Sequence, residues 1–295
     1  GSGGSADAIA VHAALLADGD TLTLAGPANF TVTGLVGDLD ASGLSGTLSV
    51  ATVDITSTTA GTIDITTGTN DTTITAGDLA GFLDAHGLTR VVIVQPSVYG
   101  TDNRALLDAL ADLGSRARGI AVIDLETATD AELQDLEKAG VRGIRLNVAT
   151  RQEDGLAEAV TGAASRLSGS NWAIQIYAPL AGILAAAPAL HRLRQPLILD
   201  HFGGARTAGP DLPAGTDVLI DLAGNGPAYI KLSAAYRASD GRAPGWPDVA
   251  PLARRLVDTV PDRLVWGSDW PHTGSGREGR PRDEIEPFQS IDDRL

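Results

Sequence analysis

Two periodicities divide this chain. From Thr21 to Thr75 apolar and polar positions alternate in short runs: Thr21-Leu22-Thr23-Leu24, Phe30-Thr31-Val32, Thr47-Leu48-Ser49-Val50, Val53-Asp54-Ile55, Ile63-Asp64-Ile65 and Thr72-Thr73-Ile74-Thr75. A period of two between Gly- and Asp-rich stretches predicts short strands. The likeness of Ala60-Gly61-Thr62-Ile63-Asp64-Ile65-Thr66-Thr67 to its flanks predicts stacked turns of a β-solenoid. Upstream, Ile9, Val11, Leu15 and Leu16 within residues 6 to 19 predict one short amphipathic helix.

From Gly77 the pattern changes to helical stretches alternating with short apolar runs. Leu79 to His86 predicts a helix stopped by Gly87, and Val91 to Gln95 a buried strand. The units that follow are helix 102–113 with strand 119–123, helix 129–138 with strand 143–146, and helix 153–167 with strand 173–176. Then come helix 180–193 with strand 196–199, a looser helix near 214–223 with strand 229–232, and helix 248–258 with strand 264–266. Strands separated by helices predict a parallel sheet. The expected fold class is therefore α/β: a (β/α)8-type TIM barrel, incomplete with seven recognisable strands, preceded by a β-rich segment. The expected domains are a linker at 1–5, a Thr/Gly/Asp-rich β segment at 6–76 and the barrel at 77–295.

Charge sharpens that boundary. The net charge is -15, yet the first 80 residues hold nine Asp and no Glu, Lys or Arg, so 22 basic against 28 acidic residues leave -6 for the remainder. Such acidity argues against a nucleic-acid surface, and no apolar run is long enough to span a bilayer. The Asp of the first segment suit turns, with calcium as the other reading, although no G-G-x-G-x-D nonapeptide occurs. The absence of Cys excludes disulfides, thiolate metal sites and cysteine nucleophiles.

The chemistry gathers where the apolar runs end, which in a parallel barrel is a single rim. These ends supply Gln95-Pro96-Ser97-Val98-Tyr99, Asp124, Arg145-Leu146-Asn147 with Arg151 six residues on, Tyr177, Asp200-His201, Ser233 with Tyr236 and Arg237, and Asp269. A guanidinium grips a carboxylate as a planar fork, so Arg145, Arg151 and Arg237 imply a small substrate with more than one carboxylate. Structural ion pairs with Asp124 and Asp200 are the competing account. His201 follows an acid and precedes two Gly, which leaves room beside it; a satisfied core histidine is the plainer reading. Asp269, between Trp266 and Trp270, is expected to be partly desolvated, which raises a carboxylate's pKa and suits a general base; a turn cap is the alternative. His272 is expected to orient Asp269, whereas His12, His86 and His191 lie in helical context.

Five blocks carry a family resemblance: Val92 to Asn103, Ala117 to Val122, Gly143 to Asn147, Leu199 to Gly203 and Trp266 to His272. In order and spacing, residues 76 to 295 resemble the amidohydrolase-related, metal-dependent-hydrolase-like barrels, in the branch of the 2-pyrone-4,6-dicarboxylate and sugar-acid or muconolactone lactonases. The resemblance implies opening of a small carboxylated lactone. Asp269 resembles the base that activates water and His201 the histidine near the scissile carbonyl; Tyr177, a catalytic candidate with them, falls on a position that holds the substrate carboxylates or the ring. Ser97, Arg145, Arg151 and Arg237 fall on positions that hold substrate carboxylates or the ring. The family's first strand carries His-x-His, which is found nowhere in this chain, and Thr-rich sequence stands in its place. The family's last helix also lies past Leu295, and Gly204 stands where lactonases often place an Arg, with Arg206 nearby as a substitute. Residues 20–75 resemble Thr-rich repeats of secreted bacterial surface proteins.

The cofactor expectation is none, or one divalent metal, zinc or manganese, on His201 and Asp269. The expected partner is a small carboxylated lactone, with no nucleic acid and no membrane, and a homo-oligomer is compatible with the sequence. The expected location is cytoplasmic for the barrel, with secretion the alternative set by the β segment. The alternative function is a catalytically impaired fusion whose barrel only binds carboxylates beside a structural repeat. A strand from residues 21–75 is expected to fill the gap left by the missing barrel strand, because an open sheet exposes its edges.

Overall fold

The computed structural model describes residues 8–12, 21–26, 29–35, 38–44, 48–52, 65–67, 75–148, 155–241, 245–272 and 291. The chain divides into two compact units, Gly1–Leu88 with Arg277–Pro287, and Thr89–Gly276 with Phe288–Leu295.

In the first unit, strands β1 (Ala8–His12), β3 (Asn29–Leu35) and β5 (Leu48–Thr52) form one sheet, and β2 (Thr21–Gly26), β4 (Asp38–Leu44) and β6 (Ile65–Thr67) another. Every pairing is parallel and joins a strand to the next but one. Leu24, Val32, Leu39 and Ala41 are buried, as alternation toward a shared interior requires. The helix expected over residues 6–19 is not formed at its start. Ala8 to His12 alternate small and β-branched residues, and backbone pairing with Asn29 to Thr33 outweighs a weak helical spacing; His12 accordingly lies on a strand. Leu15 and Leu16, and the runs at 53–55 and 72–74, lie outside the described residues. Strand β4 escapes the alternation rule because Asp and Gly are poor strand formers, yet its Leu39 and Ala41 are buried. Thr75, the last residue of a predicted strand, instead caps helix α1 (Ala76–Ala85): its Oγ1 accepts from Asp78 N at 3.3 Å while the Asp78 carboxylate accepts from Thr75 N at 2.7 Å.

The second unit is a curled seven-stranded parallel sheet, part of an α/β barrel, in which every strand pairs with its neighbours in sequence. Its strands are β7 (Val91–Val94), β8 (Ala117–Ala121), β9 (Val141–Asn147), β10 (Ala173–Tyr177), β11 (Leu197–Leu199), β12 (Ala228–Leu232) and β13 (Leu264–Trp266). Between them run α2 (Arg104–Leu113), α3 (Asp130–Lys138), α4 (Leu156–Arg166), α5 (Leu180–Leu190), the one-turn α6 (Asp200–Gly203), α7 (Leu212–Gly224), the short α8 (Ala235–Ala238) and α9 (Ala250–Thr259). The sheet consists wholly of residues 91–266, and the described strands of residues 8–67 pair among themselves. The expectation that one of them completes the sheet is thus not met among the described residues. Each of those strands takes its parallel partner two strands away within residues 8–67 instead.

Alternation within the strands decides where the chemistry goes. Ile144, Ile174, Ile176, Leu197, Leu199 and Ile230 join Val160, Ile183, Leu219, Leu222 and Leu256 of the helices in one buried cluster. Each such side chain contributes about 1.5–3 kcal/mol by leaving water. The residues between them point to the other face of the sheet, and there stand Arg145, Gln175 and Lys231.

Candidate active site

Three strand ends deliver the central groups, all within the second unit. After β13 the chain turns at Asp269 (φ 65°), whose carbonyl accepts from His272 N at 2.8 Å. The Asp269 carboxylate is asymmetrically bound: Oδ2 accepts from Tyr236 Oη at 2.6 Å and Arg237 Nε at 3.1 Å, while Oδ1 stands 3.8 Å from His201 Nε2. After β11, His201 (φ 48°) and Phe202 (φ 56°) take left-handed backbone before Gly203 and Gly204. That conformation costs roughly 1–2 kcal/mol per non-glycine residue and concentrates at functional sites. The His201 ring is buried, with Nδ1 2.9 Å from Ser233 Oγ, which follows β12, and the Tyr177 ring edge-on at 5.0 Å.

Beneath this rim lies a buried ionic cluster centred on Asp200, whose side chain is 2% exposed. Gln175 Nε2 donates to both its oxygens at 2.9 Å, Lys231 Nζ stands 2.7 Å from Oδ1, and Arg145 Nε 3.7 Å from Oδ2. Arg145 reaches outward as well: Nη1 donates to Ser97 Oγ at 3.0 Å and Gln95 O at 3.3 Å, and its guanidinium lies 5.6 Å from the Tyr177 ring centre. Asn147 also donates to Ser97 Oγ.

Burial holds the His201 imidazole below the ordinary histidine value; Asp200 and Asp269 oppose this, and Arg237 and Lys231 add to it. Its ring is therefore neutral near pH 7. Burial would push Asp200 up, but the Lys231 ammonium, with Arg145 behind it, outweighs it and holds the carboxyl below its usual range. Tyr236 is pushed well above a free phenol, first by burial and then by the Asp269 charge. Burial pulls Arg237 down and Asp269 more than restores it.

The structure thus brings together Ser97, Arg145, Tyr177, His201, Arg237 and Asp269; Arg151 lies outside the described residues. Both described arginines also face an internal carboxylate. Asp124 accepts from Glu126 N at 2.9 Å. Arg206 pairs with Asp240 rather than replacing a side chain at Gly204, where a Cβ would sit 2.0 Å from Ala178 O. The apolar wall expected from two tryptophans is not built by Trp266, which is 55% exposed at the end of β13; polar groups surround the carboxylate instead. His272 is buried and holds the Asp269 turn through its backbone N–H. Sequence reasoning missed Gln175 and Lys231. Their signal was a lone polar residue inside an apolar run, Ile174-Gln175-Ile176 and Ile230-Lys231-Leu232.

With this geometry in view, the family model described as amidohydrolase matches residues 66–289. The chain belongs to the amidohydrolase family. Among relatives in that family, the 2-pyrone-4,6-dicarboxylate hydrolase of Comamonas testosteroni is 34% identical, over 64% of this chain and 65% of its own. The 4-sulfomuconolactone hydrolase of Hydrogenophaga intermedia is 35% identical, over 64% of this chain and 63% of its own. The chain therefore spans just under two thirds of the length of these relatives. An Acinetobacter baumannii crystal structure assigned as a 2-pyrone-4,6-dicarboxylic acid hydrolase, with citric acid bound, is 28% identical. It superposes with a TM-score of 0.57 over 74% of this chain and 79% of that one.

Many amidohydrolases use a divalent metal, and the donor set here can be tested for one. Among the described residues no three His, Asp or Glu side chains lie close enough to share an ion. His201 and Asp269 supply two donors, and one Asp269 oxygen is already bound by a cation and a phenol. A firmly held zinc takes three or four protein ligands. The described residues do not fit a metal.

Proposed function

We propose that the second unit opens a small carboxylated lactone, of the 2-pyrone-4,6-dicarboxylate, sugar-acid or muconolactone type, by direct attack of water. The observation that carries this is the division of Asp269 into a saturated Oδ2 and an Oδ1 that faces His201 at 3.8 Å. In this reading Asp269 Oδ1 takes a proton from water as the water oxygen attacks the lactone carbonyl. When Ser233 donates to Nδ1, the neutral imidazole carries its proton on Nε2 and can donate to the carbonyl oxygen as negative charge develops. Collapse of the tetrahedral intermediate breaks the ring C–O bond, and the protonated Asp269 returns its proton to the leaving oxygen. Tyr177 packs against His201 and bounds the ring's place. Arg145 with Ser97, Arg237 and Arg151 are assigned to substrate carboxylates; the tricarboxylate bound in the Acinetobacter baumannii structure supports a carboxylated ligand.

The test is hydrolysis of 2-pyrone-4,6-dicarboxylate, followed by loss of its ultraviolet absorbance with proton release. Turnover in the wild-type chain and a loss of at least about 1000-fold in kcat for Asp269→Asn is expected. Equal rates in the two proteins would reject Asp269 as the base. For the first unit we propose a two-sided β-solenoid. Its support is parallel pairing of alternate strands, with Ala8 opposite Asn29, Thr21 opposite Asp38 and Phe30 opposite Leu48.

A further inference from the structure

Lys231 stands on β12 opposite Val265 of β13, and its stem passes Gly267, where a Cβ would lie 3.2 Å from Lys231 Cδ. The side chain is 17% exposed, and its ammonium meets Asp200 at 2.7 Å. Arg145, by contrast, keeps its Nε 3.7 Å from the same carboxylate, beyond hydrogen-bond length, and spends Nη1 on Ser97 and Gln95. Two cations thus compete for one buried anion, and the lysine holds it. Asp200 cannot be left uncompensated, because a buried carboxylate without its partner costs several kcal/mol. If the ammonium were absent, the cation left beside Asp200 would be Arg145, 3.7 Å away.

The cluster's charge makes the same point. Arg145, Lys231 and Arg237 face Asp200 and Asp269, three cationic side chains against two carboxylates, an excess of one. Removing Lys231 brings that sum to zero. An anion would then meet a neutral cluster instead of a positive one.

We propose that Lys231 is a positioning residue for anion recognition: by neutralising Asp200 it releases the Arg145 guanidinium to bind a carboxylate of the substrate. This rests on the carboxylated-lactone reading for the ligand class, but not for the side-chain geometry. Lys231 acts through Asp200 and Arg145, not on the lactone itself. Gln175, bridging both Asp200 oxygens from β10, fixes the carboxylate so that one ammonium suffices.

The experiment uses the full chain and has a structural and a binding arm. Crystal structures of wild type and Lys231→Met are compared; in the variant Arg145 Nε is expected to close on Asp200 to about 2.9 Å. Calorimetry with isophthalate, a flat six-membered ring bearing two carboxylates and no bond to hydrolyse, is expected to show about tenfold weaker binding for Lys231→Met. Arg145→Met should then cost little further affinity in the Lys231→Met background, although it costs much on its own. Lys231→Arg should retain wild-type affinity. The pair Asp200→Asn with Lys231→Met removes both charges together, so it guards against a misfolded single variant and should recover binding. An Arg145 that stays where it is in Lys231→Met, or additive losses from Lys231→Met and Arg145→Met, would overturn the proposal. Wild type that binds no isophthalate would count against the ligand class alone, and the Arg145 position would still decide the role of Lys231.

Discussion

Asp269 has one oxygen engaged by Tyr236 and Arg237, and in the proposed reaction the other takes the proton from water. Tyr236→Phe should therefore let the carboxylate rotate and lower kcat by about tenfold to a hundredfold with little change in KM; steady-state kinetics on 2-pyrone-4,6-dicarboxylate measure this, and a pure KM effect would contradict it. Gly204 is fixed by space and by backbone together, with φ 68° and Ala178 O where a Cβ would go. Gly204→Ala is expected to destabilise the fold by about 3 kcal/mol in urea unfolding. At this scale the sequence was legible where an ionisable residue follows an apolar run, as with Asp269 and His201. It was less legible for Lys231, because a long polar side chain within a strand reads equally as a solvated face. Which acid each arginine faces was not legible either, since that depends on pairs 32 and 55 residues apart.

Elements were legible where one periodicity ran uninterrupted. All seven strands of the second unit and the main helices between them fall close to where spacing placed them, and in the structure Thr129 and Glu132 form a capping box at the start of α3. Their reciprocal hydrogen bonds, at 3.2 Å and 2.7 Å, satisfy two backbone donors that the helix leaves open. Thr129→Ala should cost about 1 kcal/mol of stability, read as a shift in the urea midpoint at unchanged slope. The β1 region was misread because five residues with two β-branched members suit either state, and long-range parallel pairing decides between them. The left-handed turns after β11, β12 and β13, at His201, Phe202, Ala234 and Asp269, were equally hidden, since no glycine marks those positions.

For the whole molecule, the buried charges predict how stability follows pH. His201 titrates in the folded state below its ordinary value of about 6.5, so the unfolded chain binds that proton first. Its contribution is fully present above pH 6.5 and is lost as pH falls through the folded value. Asp200, also lowered, acts in the same direction from about pH 4 downward. The Tm should fall between pH 7 and pH 5, and the fall should be shallower in His201→Asn; a steeper fall in the variant would refute the assignment. The sheet itself has one more consequence. Each strand of the second unit after β7 bonds to the strand synthesised just before it, so the nascent chain can lay down each ladder as it leaves the ribosome. Only β7 has to wait for its partner to be translated.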